Sequence, residues 1–300
     1  MDRTIRVLLC LAAAFALLLA GSGSAAADKA QALYKQGIAL KNKGKTDDAI
    51  EKFEAAVEAR EDHALAWASL GHLYKKQEEY EKAINAYEQA VKYRKKDPVL
   101  WSNLGMAYYR AGRLDEAISA MEKSCDMDPK NAELLGNLGA AKRQSGDAKG
   151  AIAHLCRAYK LDPKDHNVAN NLGIAFRVAN QHKKAQMMFK RAIKLDDSVP
   201  QYHFNLGAAY RRQEEYERAI GSYETAVELD PKMADAWYDL GVCYRANRDN
   251  DKAIEAFTSY LDLVRDDDPA AAKQAEKEIA ALGGKKKKKP KKKKRSSRRR

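Results

Sequence analysis

The sequence predicts an all-α solenoid of seven 34-residue helical hairpins, and two regularities support this prediction. A glycine recurs every 34 residues without an insertion, at Gly37, Gly71, Gly105, Gly139, Gly173, Gly207 and Gly241. An alanine stands twelve residues after each of these glycines, at Ala49, Ala83, Ala117, Ala151, Ala185, Ala219 and Ala253. A fixed period of this length is typical of a repeat architecture.

Each repeat contains two runs of apolar residues at helical spacing, as in Trp101, Leu104 and Tyr108 followed by Ile118 and Met121. The small glycine and alanine should let the two helices approach closely. The turn between the helices is predicted where a residue tolerates left-handed backbone, at Gly44, Gly112, Gly146 and Asn180. Asp-Pro pairs between repeats are expected to cap the following helices. A single hairpin buries too little surface to be stable, so stacking is required.

These features resemble the tetratricopeptide repeat: the period, a Trp/Leu-Leu-Gly-Tyr run, an alanine-aromatic-alanine series and a closing Asp-Pro. The resemblance covers residues 30–267. It implies a right-handed α-solenoid whose first helices line the concave face on which the family binds partners. Lys142 replaces the aromatic residue after Gly139, and His203 replaces the Trp or Leu before Gly207. Local packing at these two positions is left open.

Residues 1–27 are predicted to be a cleaved signal peptide. Arg3 and Arg6 give a basic start, Val7–Ala20 is an apolar run, and Ala25–Ala27 offers small residues for cleavage. The short, alanine-rich leader favours a bacterial cell. We therefore expect an exported protein, periplasmic or secreted.

Two alternatives to cleavage are disfavoured. A membrane anchor would need about 20 apolar residues, and this run is shorter. A lipoprotein attached at Cys10 would need a small residue beside the cysteine and a longer apolar run before it, and both are missing.

The chain is divided further into seven repeats over 28–267, a capping helix within 268–284 and a basic tail over 285–300. In the capping helix, Ala272, Ala275, Ile279 and Leu282 fall on one face, as an open solenoid end requires.

The tail contains 13 of the 55 basic residues, and the remaining 42 balance the 42 acidic residues. The net charge of +13 therefore comes from the tail, which we expect to be disordered and to bind polyanions through ionic contacts. Its cationic residues are Lys285, Lys286, Lys287, Lys288, Lys289, Lys291, Lys292, Lys293, Lys294, Arg295, Arg298, Arg299 and Arg300. The tail also resembles a nuclear localisation signal. A cleaved signal peptide would, however, direct the chain away from the nucleus. A merely solubilising tail is the other alternative.

No catalytic, cofactor or metal site is predicted. The six histidines are scattered, and neither a glycine-rich phosphate loop nor a serine nucleophile elbow occurs. A site built across distant repeats stays open. The predicted mature chain has three cysteines, Cys125, Cys156 and Cys243, and a disulfide between the first two is left open.

Two rows of polar residues are the predicted binding site. Two residues before the repeat glycines stands an asparagine ladder, Asn103, Asn137, Asn171 and Asn205. A carboxamide both donates and accepts, so it can bind a peptide backbone. Similar ladders occur in the repeat regions of O-linked N-acetylglucosamine transferases and kinesin light chains, although asparagine is common here throughout the family.

Four residues after the glycines stands an arginine row, Arg143, Arg177, Arg211 and Arg245. Guanidinium groups hold carboxylates through paired N–H donors, which suggests a partner segment with acidic residues. The alternative is a solvated rim whose arginines pair with acidic residues of neighbouring repeats.

Two function hypotheses follow. The first is a non-enzymatic scaffold that binds an extended or helical protein segment in its groove, with the tail tethering it to an anionic partner. The second is a polyanion-binding protein that acts through the tail on envelope lipid, lipopolysaccharide or nucleic acid. The partner's identity and the oligomeric state are not predicted.

Overall fold

The structure is a computed structural model that describes residues 25–284. Most of the predicted signal peptide, residues 1–24, and the predicted basic tail, residues 285–300, lie outside the described residues. Fifteen helices and no strand are found within 25–284. This confirms the predicted all-α helical-repeat class.

The described chain forms two compact units, one ending at Leu161 and one beginning at Asp162. The helices of the N-terminal unit are α1 (25–42), α2 (Thr46–Ala59), α3 (Ala64–Lys76), α4 (Tyr80–Tyr93), α5 (Pro98–Arg110), α6 (Leu114–Met127), α7 (Ala132–Gln144) and α8 (Ala148–Leu161). Those of the C-terminal unit are α9 (His166–Val178), α10 (His182–Leu195), α11 (Pro200–Arg211), α12 (Tyr216–Leu229), α13 (Ala234–Ala246), α14 (Asn250–Val264) and α15 (Pro269–Ala281).

Within each unit, consecutive helices pair as hairpins and the first helices of successive hairpins touch. Helix α5 contacts α3 and α7 in the N-terminal unit, and α11 contacts α9 and α13 in the C-terminal unit. Each unit therefore has a continuous surface of first helices.

The repeat glycine and alanine lie where the two helices of a hairpin cross. A Cβ on Gly207 would stand 2.9 Å from the Tyr223 ring, and the other six repeat glycines face the residue 16 positions further on at similarly short distances. All seven repeat alanines are 0% exposed. The prediction that small residues permit close helix packing is confirmed.

The predicted left-handed turn residues are confirmed, with φ of 74° at Gly44, 79° at Gly112, 89° at Gly146 and 57° at Asn180. Three other turns adopt the same conformation without glycine or asparagine, at Glu78, Glu214 and Arg248. Sequence analysis did not identify these three because their residue types do not favour positive φ.

The expected capping by Asp-Pro pairs is only partly correct. Asp97 and Asp268 accept hydrogen bonds from the first N–H groups of α5 and α15. Asp162 and Asp230 instead accept the N–H two residues further on, at 2.9 and 3.0 Å, and so shape the turn. Helix α9 is capped by Asp165, because its turn extends beyond the proline.

His203 takes over a bond that tryptophan makes elsewhere. The indole Nε1 of Trp101 donates to the Lys95 carbonyl at 2.9 Å, six residues earlier, and Trp67 and Trp237 do the same in their repeats. His203 Nε2 lies 2.9 Å from the Asp197 carbonyl. The replacement therefore keeps the helix tied to the preceding loop.

The predicted capping helix is confirmed as α15, and Ala272, Ala275 and Ile279 are buried. No disulfide joins Cys125, which is buried, to Cys156, which is exposed. Burial raises the pKa of the Cys125 thiol to about 11. In the part of the chain that the structure describes, every helix is too short or too polar to cross a membrane.

Candidate functional site

Three residues of the asparagine ladder are half-buried on the first helices with their amides available. Asn103 lies on α5 and Asn137 on α7 in the N-terminal unit, and Asn171 lies on α9 in the C-terminal unit. None of the three side chains makes a hydrogen bond to another described residue. Each amide can therefore donate to and accept from an external group.

Asn205 differs from the other members of the ladder because it is only 4% exposed. Its Nδ2 donates to Asn170 Oδ1 at 2.8 Å, and its Oδ1 accepts from Gln201 Nε2 at 3.3 Å. The amide of Asn205 thus joins α11 to α9 rather than facing a partner. The ladder prediction rested on register alone and missed the competing Asn170, which directly precedes Asn171 on α9.

The arginine row is divided in the same way. Arg211 Nη2 lies 3.5 Å from Asp239 Oδ2 on α13, and Arg245 pairs with Glu278 on the capping helix α15. These two arginines pair with acidic residues of neighbouring elements, which is the alternative to partner binding that the sequence left open. Arg143, in the N-terminal unit, forms no ion pair with a described residue, and its buried Nε lacks a hydrogen-bond acceptor there. Arg177 is half-buried near the end of α9.

The Arg211–Asp239 pair includes the hydroxyl of Tyr223, which donates to Asp239 Oδ2 at 3.1 Å. Burial raises the pKa of the Asp239 carboxyl above its usual range, while the charge of Arg211 and the Tyr223 hydrogen bond act in the opposite direction. Two donors therefore hold a desolvated carboxylate in the C-terminal unit.

A further polar cluster on α9 and α11 was not predicted. The Tyr202 hydroxyl donates to Asn167 Oδ1 at 3.0 Å and lies 2.6 Å from His166 Nδ1, which donates to it as an N–H. His166 Nε2 lies 4.0 Å from Asp196. Burial, helped by nearby carboxylates, raises the pKa of Tyr202 to about 12. These residues stand outside the two periodic rows, so repeat alignment gave no signal for them.

The chemistry available on these surfaces is recognition by hydrogen bonds and charge. Carboxamides suit a peptide backbone, and guanidinium groups suit carboxylates. Within residues 25–284, no group of three His, Cys, Asp or Glu side chains is arranged to hold a metal ion.

Comparisons with known proteins agree with this geometry. The family model for the C-terminal domain of cilia and flagella-associated protein 70 matches residues 6–204, and a tetratricopeptide repeat model matches residues 204–272. The comparison with curated proteins finds no match.

Similar solved structures include the crystal structure of MamA, which is 26% identical, with a TM-score of 0.50, over 59% of this chain and 97% of that one. YrrB is 22% identical with a TM-score of 0.53, over 65% and 100% of the two chains. PilF of Pseudomonas aeruginosa is 18% identical with a TM-score of 0.62, over 73% and 99%. Together with the repeat geometry, the family matches show that the chain belongs to the tetratricopeptide repeat family.

Proposed function

We propose that the protein is a non-enzymatic interaction scaffold that binds an extended or helical protein segment along its first helices. The single observation behind this proposal is the set of available amides at one register position, Asn103, Asn137 and Asn171. An amide that already lies half-buried loses little freedom on binding, so a backbone can be held at low entropic cost. Family membership supports the general role, because tetratricopeptide repeats commonly form protein-interaction scaffolds.

The ladder and the arginine row contribute different parts of this recognition. The amides bind backbone groups of the segment without selecting its side chains. Arg143 adds preference for an acidic side chain, and Arg177 is its counterpart in the C-terminal unit. Asn205, Arg211 and Arg245 mainly support the fold through the pairs described above. The solved relative YrrB is described as having an unusual peptide-binding site.

Capture from an envelope extract at moderate salt tests the proposal. We expect the full chain to retain a discrete protein and the Asn103→Ala/Asn137→Ala variant to lose it. The matched control is Asn85→Ala/Asn250→Ala, which removes two exposed amides from second helices and should retain the protein. Equal retention by both double variants would refute binding through the ladder.

The charge distribution of the sequence favours a second candidate, polyanion binding through residues 285–300. All of the net charge of +13 resides there, and the preceding chain is neutral. Each lysine near an anionic surface contributes up to about 1 kcal/mol. In the proposed scaffold, this tail tethers an exported protein to envelope lipid, lipopolysaccharide or nucleic acid.

Raising the salt concentration distinguishes the scaffold function from the polyanion-binding function. Sedimentation with vesicles containing anionic phosphatidylglycerol should be lost when residues 285–300 are removed or when NaCl is raised to about 1 M. Capture of the protein partner should partly survive the same salt, because hydrogen bonds to half-buried amides are screened less. If all binding disappears with the tail, the polyanion function replaces the scaffold.

A further inference from the structure

A cleft of about 430 Å³ lies between α3 and α5 in the N-terminal unit, and its lining includes three cationic side chains and one carboxylate. We call it the basic cleft. Its lining residues are His72, Lys75, Lys76, Glu78, Tyr80, Met106 and Arg110. The cleft is on the surface of first helices and contains no residue of the asparagine ladder. Lys75 stands four residues after Gly71, so it occupies the register of the arginine row.

The cations of the basic cleft have no anionic partner within the described chain. Lys75, Lys76 and Arg110 form no salt bridge with any residue in 25–284, and Glu78 supplies the only carboxylate of the lining. Lys41 on α1 is close enough to act electrostatically on His72. In the C-terminal unit, by contrast, Arg211 and Arg245 are paired with acidic residues. The N-terminal unit therefore has uncompensated positive charge on its first helices.

Two side chains of the basic cleft have lowered pKa values, and repulsion from neighbouring cations contributes to both. Burial lowers the pKa of Lys75, and the neighbouring charge of Arg110 lowers it further. Desolvation also lowers the pKa of His72, and Lys41, Lys75 and Lys76 lower it further. An oxyanion placed among these groups would favour their charged forms and raise both pKa values.

We propose that the basic cleft binds the oxyanion, carboxylate or phosphate, of an acidic side chain in the protein segment. This inference rests on the proposed scaffold function and specifies the charge of its partner. Arg110 and Lys75 would supply charge-assisted hydrogen bonds. Met106 and Tyr80 offer apolar surface to the carbon atoms that bear the oxyanion. A discrete acidic group is favoured over a continuous phosphate backbone because Glu78 interrupts the positive lining.

Sulfate is the first probe, because its charge stays constant between pH 5 and 8. Histidine-selective NMR of the full chain follows the His72 ring among six histidines and is insensitive to sulfate bound at the tail. We expect sulfate to shift the His72 resonance and to raise the pKa of His72. Sulfate binding should tighten as pH falls from 7.5 to 5.5, because protonation of His72 adds a positive charge to the cleft. The other charged groups near His72 are the cations Lys41, Lys75, Lys76 and Arg110 and the single carboxylate of Glu78.

Two charge-matched variants identify the residues responsible. Lys75→Gln/Arg110→Gln removes two cations from the cleft and should weaken the sulfate response of His72 at least about tenfold, as expected for losing charge-assisted hydrogen bonds. Lys149→Gln/Lys160→Gln removes two exposed cations from α8 and should leave it unchanged. Circular dichroism establishes that both variants are folded. An unmoved His72 resonance in the wild-type chain would overturn the proposal.

Labelled peptides then distinguish the source of the oxyanion. Fluorescence anisotropy would compare a Glu-rich peptide, the same peptide with phosphoserine and one with glutamine, together with a single-stranded oligonucleotide. We expect acidic or phosphorylated peptide to bind and to be weakened about tenfold by Lys75→Gln/Arg110→Gln. Oligonucleotide binding that depends on these two residues would overturn the proposal in favour of a nucleic-acid site.

The two proposals can fail separately. If a captured partner depends on Asn103 and Asn137 but not on Lys75 and Arg110, the basic cleft is refuted and the scaffold stands. If His72 responds to sulfate but no protein is captured through the asparagines, the cleft is an anion site and the scaffold function is refuted.

Discussion

Lys142 Nζ lies 2.7 Å from Glu122 Oε1 and thereby replaces a tyrosine-glutamate hydrogen bond found between other repeats. At the equivalent positions, the Tyr74 hydroxyl donates to Glu54 at 2.6 Å and the Tyr108 hydroxyl to Glu88 at 2.5 Å. The departure from the repeat pattern at Lys142 thus keeps a polar bond between neighbouring repeats.

A double-mutant cycle of Lys142→Ala and Glu122→Ala should give a coupling energy of about 0.5–1 kcal/mol in urea unfolding. The value is modest because the Glu122 side chain is 49% exposed. The coupling should shrink in about 1 M NaCl. Lys142→Tyr should preserve stability, since tyrosine can donate to Glu122 instead. A coupling below about 0.2 kcal/mol would contradict this role.

The turn at Gly112 and the helical position Gly221 should respond oppositely to alanine. Gly112 has φ 79°, a conformation that alanine adopts at a cost, so Gly112→Ala should destabilise by about 1 kcal/mol. Gly221 lies inside α12 with open space around its Cα, so Gly221→Ala should stabilise by up to about 1 kcal/mol. Urea unfolding midpoints measure both changes. Shifts in the same direction would show that backbone conformation does not decide the effect.

Ala219 is completely buried on α12 in the α11–α12 hairpin, and a larger side chain there should separate the two helices. Ala219 is 0% exposed, so Ala219→Leu should destabilise by roughly 1–3 kcal/mol through overpacking. Ala153 is exposed on α8, and Ala153→Leu is the matched control with little expected effect. Thermal unfolding followed by circular dichroism compares them. Equal melting temperatures would exclude a tight crossing at Ala219.

His63 should make stability depend on pH. It is 3% exposed, and its Nδ1 accepts the Ala66 N–H at 3.2 Å as the cap of α3. Nε2 lies 3.2 Å from Gln31 Oε1, so the neutral ring donates there. Burial lowers the pKa of His63, so the unfolded chain binds the proton more readily. The free energy of unfolding should therefore fall as pH drops below about 6.5, the usual histidine pKa.

His63→Asn tests this expectation because asparagine can cap a helix without titrating in this range. The variant should lose less stability than the wild type between pH 7 and pH 5. His72 also has a lowered pKa, and His72→Asn separates its contribution. An unchanged pH profile in His63→Asn would rule out the cap as the titrating group.

Periodicity made most of the fold predictable, because the repeat glycines, alanines and four turn residues have steric requirements that few residue types meet. Glu78, Glu214 and Arg248 escaped prediction since these residue types do not favour the positive φ that their turns adopt. The site was less predictable. Asn205 is held by Asn170, which lies one residue before the ladder position Asn171 and therefore outside the register that alignment compares.

The basic cleft shows a similar limit. Lys75 and Arg110 stand at different positions relative to their repeat glycines, so no periodic row contains both. They line one cleft because α3 and α5 are adjacent, which is a tertiary property.

The bonds Glu54–Tyr74 and Glu88–Tyr108 both join residues 20 positions apart, and this has a consequence for how the protein can change in length. Removing residues 71–104 would bring Glu54 to the same separation from Tyr108 and recreate the bond between repeats. Whole repeats can thus be gained or lost by recombination without a new interface having to evolve. The protein can lengthen or shorten its partner-binding surface in modular steps.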